Sequence, residues 1–329
     1  MGALDTSAKE TAKGNTSALY LMNKYRVFLI FIIICGVAGL LSEVFFTVNN
    51  MLNVARQVSI TAIVAAGMTL VILIAGIDLS VGSVLAFTGA IIAGMLSAKV
   101  ALPVAILCAL LVGLLFGFVN GFFVTKMGVP AFIATLALMV IARGMTLVYT
   151  KGYPLVVSET SFSIIGNGKI WGVPLPILLM ILIYALMYWV LRYTSFGRYI
   201  YAIGGNEEAS RLSGIAVDRI KIAVYGIAGL FSALSATIYT SRLMSAQPTA
   251  GVGIELDAIA AVIIGGTSLS GGRGGIVGTL FGALIMGVLD NVLNLMNVSP
   301  FYQSIAKGLV ILVAVVVDSK FSKLKVQKY

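Results

Sequence analysis

The chain has 329 residues, of which 60% are apolar and only 10% are charged, and its mean hydropathy is +1.06. Soluble domains carry about 25% charged residues, so this composition excludes a chain that faces water on all sides. The formal charge is +10, but the cations lie between apolar segments, which indicates orientation in a bilayer rather than binding to nucleic acid.

The residue types behind most metal and acid–base chemistry are absent or isolated. Histidine is missing, which excludes His-based catalysis, His metal ligands and a His pH switch. Cys35 and Cys108 each lie inside an apolar run, so we expect buried neutral thiols rather than a disulfide or metal site. We therefore predict no catalytic residue, no cofactor-binding residue and no metal ligand in this chain.

The chain begins with a polar segment. Residues 1–24 contain Ser, Thr, Lys and Glu without an apolar core, which predicts a flexible cytoplasmic tail rather than a signal peptide. The apolar run at 27–41 follows Lys24 and Arg26, and no small-residue cleavage site succeeds it. We predict that this run is a retained first membrane helix.

Apolar segments recur along the rest of the chain at lengths that suit a bilayer. A membrane helix needs about 20 residues, and this criterion predicts an all-α polytopic membrane protein with about ten helices. The third and eighth segments are the weakest, and either is a candidate for a broken or re-entrant element. The membrane domain is predicted to cover 25–320, and residues 321–329 to form a cytoplasmic tail. The predicted helices lie near 27–45, 57–76, 80–98, 103–125, 131–150, 174–192, 220–243, 255–272, 276–296 and 301–318.

The Lys and Arg residues orient this arrangement. If the N-terminus is cytoplasmic, the cations favour the inner side by about three to one, which is the positive-inside pattern. Both termini are then predicted to be cytoplasmic. Residues 77–82 weakly resemble 267–272, and 129–132 resemble 298–301, although the two offsets disagree. These similarities favour two inverted five-helix halves, as in many transporters.

Two glycine patterns have separate interpretations. The run at 265–274 fails as a phosphate loop, because the positions that require Lys and Ser or Thr hold Gly272 and Arg273. It is predicted to be a tight cytoplasmic hairpin. Small residues four apart allow helix backbones to approach closely, which predicts tight packing at Gly113, Gly117, Gly121, Gly278 and Gly282.

Polar groups inside apolar segments are the candidates for a translocation path, since a charge at mid-helix costs about 2.5–3.5 kcal/mol on insertion scales. Arg143 either lines a pore, or snorkels outward or pairs with a carboxylate. Lys307 also falls inside a span, and Glu255 and Asp257 open the eighth helix. Asp78 is favoured as a cap of the third helix, and the asparagines as bonds between helices. The candidate path residues are Asp78, Asn120, Thr135, Asn291 and Asn294.

The loop at 204–214 is predicted to contain a short independent helix on the cytoplasmic side. Asn206 suits the N-cap, Glu207 and Glu208 suit the positive end of the helix dipole, and Gly214 suits the stop. A helix this short has little stability alone in water, so it makes sense if it docks into another protein. The predicted docking residues are Gly205, Asn206, Glu207, Glu208, Ala209, Ser210, Arg211 and Gly214.

At this loop the chain resembles a known family. Residues 208–214, EASRLSG, are similar to the E-A-A-x-x-x-G coupling loop of ATP-binding-cassette (ABC) importer permeases, with Ser210 in place of the second Ala. Further segments resemble the ribose-type carbohydrate-uptake permeases, and together the resemblance spans about 25–320. These segments are AGIDLSVGS at 75–83, AFIATL at 131–136, GRYIYAIGGNE at 197–207, SAQPTAG at 245–251, ELDAIAA at 255–261 and GGTSLSGG at 265–272.

The resemblance implies the ten-helix permease fold of large, type II importers. It implies a homodimeric pore in the lipid of the bacterial inner membrane, with ABC ATPase subunits beneath and a periplasmic sugar-binding protein above. The implied function is inward transport of a monosaccharide, with D-ribose favoured over xylose or galactose, while the partner subunit binds ATP. The main alternative is an ion-coupled secondary transporter, which needs intramembrane carboxylates; Asp290 is the main candidate. An ion channel is disfavoured because no filter-like motif is present.

Overall fold

The computed structural model describes residues 27–326, and side chains within 27–316. Helices form nearly all of the regular structure in this range, so the chain is an all-α polytopic membrane protein. Within this range, six helices are long and apolar enough to cross a membrane. The predicted tail at 1–24 lies outside the described residues, and so do residues 327–329 of the predicted tail at 321–329.

The helices follow one another with short connections. Two antiparallel strand pairs join loops: β1 (Leu155–Val156) with β4 (Ser245–Ala246), and β2 (Lys169–Ile170) with β3 (Val173–Pro174). The helices are α1 (Val27–Leu41), α2 (Val48–Leu73), α3 (Val81–Ser97), α4 (Leu102–Thr125), α5 (Ala131–Thr150), α6 (Ser163–Asn167), α7 (Leu175–Tyr193), α8 (Ser195–Gly205), α9 (Glu207–Leu212), α10 (Val217–Leu243), α11 (Ile254–Ile264), α12 (Ile276–Leu295) and α13 (Pro300–Val326).

The second predicted helix starts too late. The sequence predicted that this helix starts at 57, but α2 begins at Val48. Thr47 is the N-cap, and the Thr47 hydroxyl oxygen accepts from the Asn50 amide at 3.4 Å. The Asn50 side chain is buried and donates to the Phe45 carbonyl at 2.9 Å. Thr47 and Asn50 therefore satisfy backbone groups at the start of α2.

Two helices are short for a bilayer. α3 has 17 residues and α11 has 11, so they are about 25 Å and 16 Å long at 1.5 Å per residue. A hydrocarbon core is about 30 Å thick. The third segment therefore has the minimum length of a membrane helix, whereas the eighth is too short to span the core as a single helix, as expected for a broken or re-entrant element. The eighth was expected to reach 272, but α11 ends at Ile264 because a glycine-rich turn follows it.

Helix α2 forms the centre of the structure. Its side chains from Ala62 to Leu73 are all buried, and it contacts α7, α10, α11 and α12. A helix that is apolar on every side is stable either in a protein core or in lipid, and the burial of these side chains shows that α2 is surrounded by protein. The rest of the bundle is therefore arranged around α2, and any displacement of its ends affects several neighbouring helices.

The predicted glycine packing is confirmed. Gly113 and Gly117 of α4 face α10, and a Cβ on either would overlap backbone atoms of Gly229 or Tyr225. Gly278 and Gly282 of α12 lie equally close to the backbone of α11. Small side chains let these helices meet at backbone distance, where van der Waals contact stabilises membrane helix pairs.

We predict that Gly117→Ala destabilises the protein by about 1–3 kcal/mol, because the added methyl forces α4 away from α10. Gly144→Ala in α5 is the matched control, since a Cβ there meets no atom within 4 Å. Thermal unfolding of both purified variants in one detergent measures the difference. Equal unfolding temperatures for the two variants would contradict the close α4–α10 packing.

Candidate functional site

Three segments meet at the end of α2. The Gly272 amide donates to the Leu73 carbonyl at 2.9 Å, and Gly204 packs so closely that a Cβ would overlap the same carbonyl. The Tyr201 hydroxyl donates to the Gly274 carbonyl at 3.0 Å. The glycine-rich turn at 265–275, helix α8 and α2 are thus held together directly before α9.

Helix α9 has the predicted cap. The Asn206 side-chain oxygen accepts from the Ala209 amide at 2.9 Å, and Glu207 and Glu208 occupy the first turn. After the helix, Gly214 has a φ of 83°, a left-handed conformation that favours glycine. The short capped helix predicted from the sequence therefore forms. The preceding helix α8 was missed, because its mixed polar and apolar sequence has no long apolar run.

Ion pairs hold one side of α9 to the membrane bundle. Lys221 of α10 pairs with Glu207 at 2.9 Å. Arg211 pairs with Asp218 at 3.0 Å, and Lys126, after α4, pairs with Asp218 at 2.7 Å. The hydrogen bond to Asp218 raises the pKa of the Arg211 guanidinium above its ordinary value. These charges fix the position of α9 relative to α4 and α10.

The opposite side of α9 is open. Leu212 is 82% exposed, and Glu208 is exposed and forms no ion pair with any described residue. Leu212 and Glu208 together present an apolar side chain beside a carboxylate on a helix that ion pairs hold to the bundle. Such a surface is suited to contact with another protein. Glu208 can be changed without breaking an ion pair of the described fold.

Three candidate path residues come together at the break between α2 and α3. Asp78 is buried, and its carboxylate accepts from the Ser80 amide at 2.9 Å and from the Ser80 hydroxyl at 2.6 Å. Asn120 donates to the Ser80 hydroxyl at 2.8 Å, and Thr135 donates to the Ile77 carbonyl at 3.3 Å. Asp78 is therefore not the expected cap: Ser80 occupies the N-cap position, and Asp78 holds the turn before it.

The other two candidate path residues lie elsewhere. Asn291 of α12 exchanges hydrogen bonds of 2.9 Å with Asn50 of α2. Asn294 accepts from Gln303 of α13 at 2.9 Å. Both therefore bond neighbouring helices, which is the alternative that the sequence favoured for asparagine.

Lys307 is neutralised inside the bundle. Its ammonium lies 3.0 Å from the Asp257 carboxylate and 2.9 Å from that of Asp290. These contacts join α13 to α11 and α12.

Among the described residues, no group of His, Cys, Asp and Glu is placed to hold a metal ion.

Arg143 contacts backbone rather than a carboxylate. Its guanidinium donates to the Pro248 and Ala250 carbonyls at 2.9 and 2.8 Å. It therefore neither snorkels outward nor forms an ion pair with any described residue. The non-helical segment that it holds, residues 247–253, was not singled out as an element from the sequence. Its only local signal is the density of Pro and Gly between α10 and α11.

The chain matches one family over most of its length. The family described as the branched-chain amino acid transport system / permease component matches residues 50–315. The ribose import permease protein of Haemophilus influenzae is 52% identical over 298 residues, covering 89% of this chain and 92% of that protein.

Two further relatives show how far the similarity extends. The ribose import permease protein of Bacillus subtilis is 52% identical over 303 residues, covering 92% of this chain and 94% of that protein. The L-arabinose transport system permease protein of Escherichia coli is 36% identical over 325 residues, covering 99% of each. No solved structure matches the chain significantly.

We predict that Asn206→Ala weakens α9 while Asn206→Asp preserves it. The aspartate carboxylate can accept from the Ala209 amide, as the native Asn206 oxygen does, whereas alanine has no acceptor. Loss of such a cap costs about 1 kcal/mol, which corresponds to about fivefold faster opening. Hydrogen exchange at the Ala209 and Ser210 amides measures the effect. Unchanged exchange in the alanine variant would mean that the cap does not stabilise α9.

Proposed function

The chain belongs to the branched-chain amino acid transport system / permease component family, and we propose that it is the membrane subunit that carries D-ribose into the cytoplasm within an ABC importer. It is a transport subunit without an ATPase motif of its own, so a partner subunit hydrolyses ATP. The observation that carries the proposal is helix α9: it is anchored on one side by Glu207 and Arg211 and presents Glu208 and Leu212 on the other.

In the proposed mechanism, α9 is the coupling helix. The predicted docking segment, residues 205–211 with Gly214, enters the ATPase subunit with the side that carries Glu208 and Leu212 in contact, while Glu207 and Arg211 hold it to the bundle. Closure of the ATPase on ATP displaces the helix.

Gly204 lies in the last turn of α8, three residues before α9 begins at Glu207, and it packs on the carbonyl of Leu73, the last residue of α2. A push on α9 therefore reaches the central helix without an intervening flexible loop. Packed interfaces of this kind switch between discrete arrangements, as alternating access requires.

The proposed assembly follows from the family. It has a homodimer of this permease in the lipid of the bacterial inner membrane, two ATPase subunits and a periplasmic sugar-binding protein. The membrane domain at 25–320 has about ten spans in a type II importer fold, built from two inverted five-helix halves. Both termini, including the tails at 1–24 and 321–329, are cytoplasmic. The positive-inside distribution and the shared contact of α8 and the glycine-rich turn with α2 support this orientation.

The polar residues predicted from the sequence remain candidates for the path. Asp78, Asn120 and Thr135 are hydrogen-bonded at the break between α2 and α3. For a sugar to meet them, this break has to open during the cycle. Asn291 and Asn294 would have to exchange their helix partners for sugar hydroxyls. A neutral sugar can make such exchanges without a fixed charge.

The alternatives differ in energy source or in substrate. An ion-coupled transporter needs a carboxylate that can bind and release an ion. Asp257 and Asp290 share the single cation Lys307. Asp78 is held by Ser80 without a cation in the described part of the chain. The similarity to import permeases, rather than the pairing of these carboxylates, therefore disfavours this alternative. In the other alternative, the chain is an ABC permease for a different small sugar, such as xylose or galactose. The two ribose relatives, each 52% identical, favour ribose over the L-arabinose relative at 36%.

We predict that Glu208→Arg lowers ribose uptake at least tenfold while the permease stays inserted and the ATPase stays bound. The change inverts a favourable dipole interaction of about 0.3–1 kcal/mol and places a cation at the docking face. Glu43→Arg, an equally exposed carboxylate in the turn between α1 and α2, is the matched control. Normal uptake by Glu208→Arg in the intact complex would show that α9 does not couple.

Deletion of the gene should abolish uptake of radiolabelled ribose at low concentration and leave uptake of an unrelated sugar unchanged. The strain must lack a second ribose importer, and the wild-type gene supplied on a plasmid should restore uptake. Unchanged ribose uptake in the deletion strain refutes the substrate. If the deletion strain instead loses energised uptake of another sugar, the chain is still an ABC sugar permease, but its substrate is that sugar rather than ribose.

A further inference from the structure

Residues 247–253, which we name the re-entrant segment, connect β4 to α11 without helical structure. The chain reaches β4 from the end of α10, and β4 pairs with β1 in the loop that follows α5. The segment then proceeds through consecutive turns to Gly253, directly before the first residue of α11. It includes Gly251 and Gly253, whose φ values are 73° and 87°.

Two contacts show how deep this segment lies. Arg143, which binds it, is about two turns or ~10 Å before the end of α5 at Thr150. Gly251 packs against Gly82, in the first turn of α3. The other end of α3 is beside β1, because the Ser97 hydroxyl donates to the Val156 carbonyl at 3.4 Å. The re-entrant segment therefore starts at β4, beside the C-terminal end of α3, and reaches the N-terminal end of α3 at Gly251.

One side of the re-entrant segment is tightly held. Arg143 donates to the Pro248 and Ala250 carbonyls, and the Gly253 amide donates to the Glu255 carboxylate at 3.2 Å. A Cβ on Gly251 would overlap the Gly82 backbone. The segment therefore has one defined position, although it lacks regular secondary structure.

Its other side is uncovered. Thr249 is exposed, Val252 is 70% exposed, and Leu256 in the first turn of α11 is 50% exposed. Non-helical backbone at membrane depth is not found against lipid, because its polar groups need partners. It is tolerated only where protein buries it or where it lines a water-filled cavity. This face is therefore covered by protein or by water.

We propose that the re-entrant segment lines the translocation path at the middle of the membrane, with Thr249 and Val252 facing the solute. Arg143 is the positioning residue that holds it there. This inference rests on the proposed sugar import. The side that faces the path offers the Thr249 hydroxyl, carbonyl groups of the turns and the methyl groups of Val252. It has no fixed charge, because the Arg143 guanidinium donates to carbonyls of the segment. These groups suit a neutral polyhydroxylated solute, and the second copy of the chain supplies the opposite wall.

Cysteine labelling tests whether water reaches this face. Val252→Cys is made after Cys35 and Cys108 are replaced by Ser, and the complete importer is reconstituted in nanodiscs. The probe is methanethiosulfonate ethylsulfonate, which is charged and reacts only with wet thiols. Leu182→Cys is the matched control, because Leu182 is 64% exposed but lies in the middle of α7, where the backbone is helical.

We expect the Val252→Cys thiol to react at least tenfold faster than the Leu182→Cys thiol, and at different rates without nucleotide and with ATP trapped. If both thiols react equally slowly in both states, the segment does not line the path. A disulfide between copies at Val252→Cys without labelling assigns the face to packing between subunits, which also overturns the inference.

Arg143 is tested separately by its effect on the segment. Arg143→Gln should lower maximal uptake at least tenfold, retain ATP hydrolysis and change the labelling rate of Val252→Cys. Arg143→Lys keeps one donor and should give intermediate values. An unchanged labelling rate in Arg143→Gln overturns the positioning role. If the Val252→Cys complex with Arg143 intact labels as expected but the wild-type complex takes up no ribose, the substrate proposal fails and the path assignment stands.

Discussion

Inside a hydrocarbon layer, backbone N–H and C=O groups have to find partners within the protein, and this constraint applies to two breaks in the helices of this chain. At the break after α2, the Asp78 carboxylate accepts from the Ser80 amide. At the re-entrant segment, the Arg143 guanidinium donates to two carbonyls. Each break depends on a side chain that supplies the missing hydrogen bond.

Helix α9 is connected to the interior of the bundle close to the first of these breaks. Helix α8 and the glycine-rich turn both contact the end of α2, and the break that contains Asp78 follows within a few residues. In the proposed mechanism, a displacement of α9 is applied where the central helix ends and the backbone can change direction. Continuous helices such as α4 and α10, which are packed through glycines, are then the part of the bundle that we expect to stay rigid.

The sequence predicted those features that depend on local chemistry. Helices α4 and α5, the glycine contacts and the Asn206 cap follow from apolar length, residue size and N-cap preference, all of which are read within a few residues. The distant partners were not predictable in this way. Lys307 appeared as an isolated cation in a span, yet Asp257 and Asp290 neutralise it from two other helices. The two carbonyls that bind Arg143 lie more than a hundred residues away.

The candidate path residues illustrate this limit. The sequence marks Asp78, Asn120 and Asn291 as polar groups in apolar surroundings, but polarity alone does not distinguish a group that meets solute from one that bonds a neighbouring helix. The re-entrant segment carried no apolar periodicity, so it was not recognised as an element. Its importance becomes visible only when its depth and its exposed face are known together.

We propose that this chain forms a sugar path whose opening is driven by ATP bound to a partner subunit. This is tested by uptake of radiolabelled ribose into proteoliposomes that contain the permease, its ATPase subunit and its binding protein. We expect uptake that requires ATP inside the vesicles, stops with vanadate and persists when proton and sodium gradients are collapsed. Ribose uptake that proceeds without ATP and follows an imposed ion gradient would contradict this proposal.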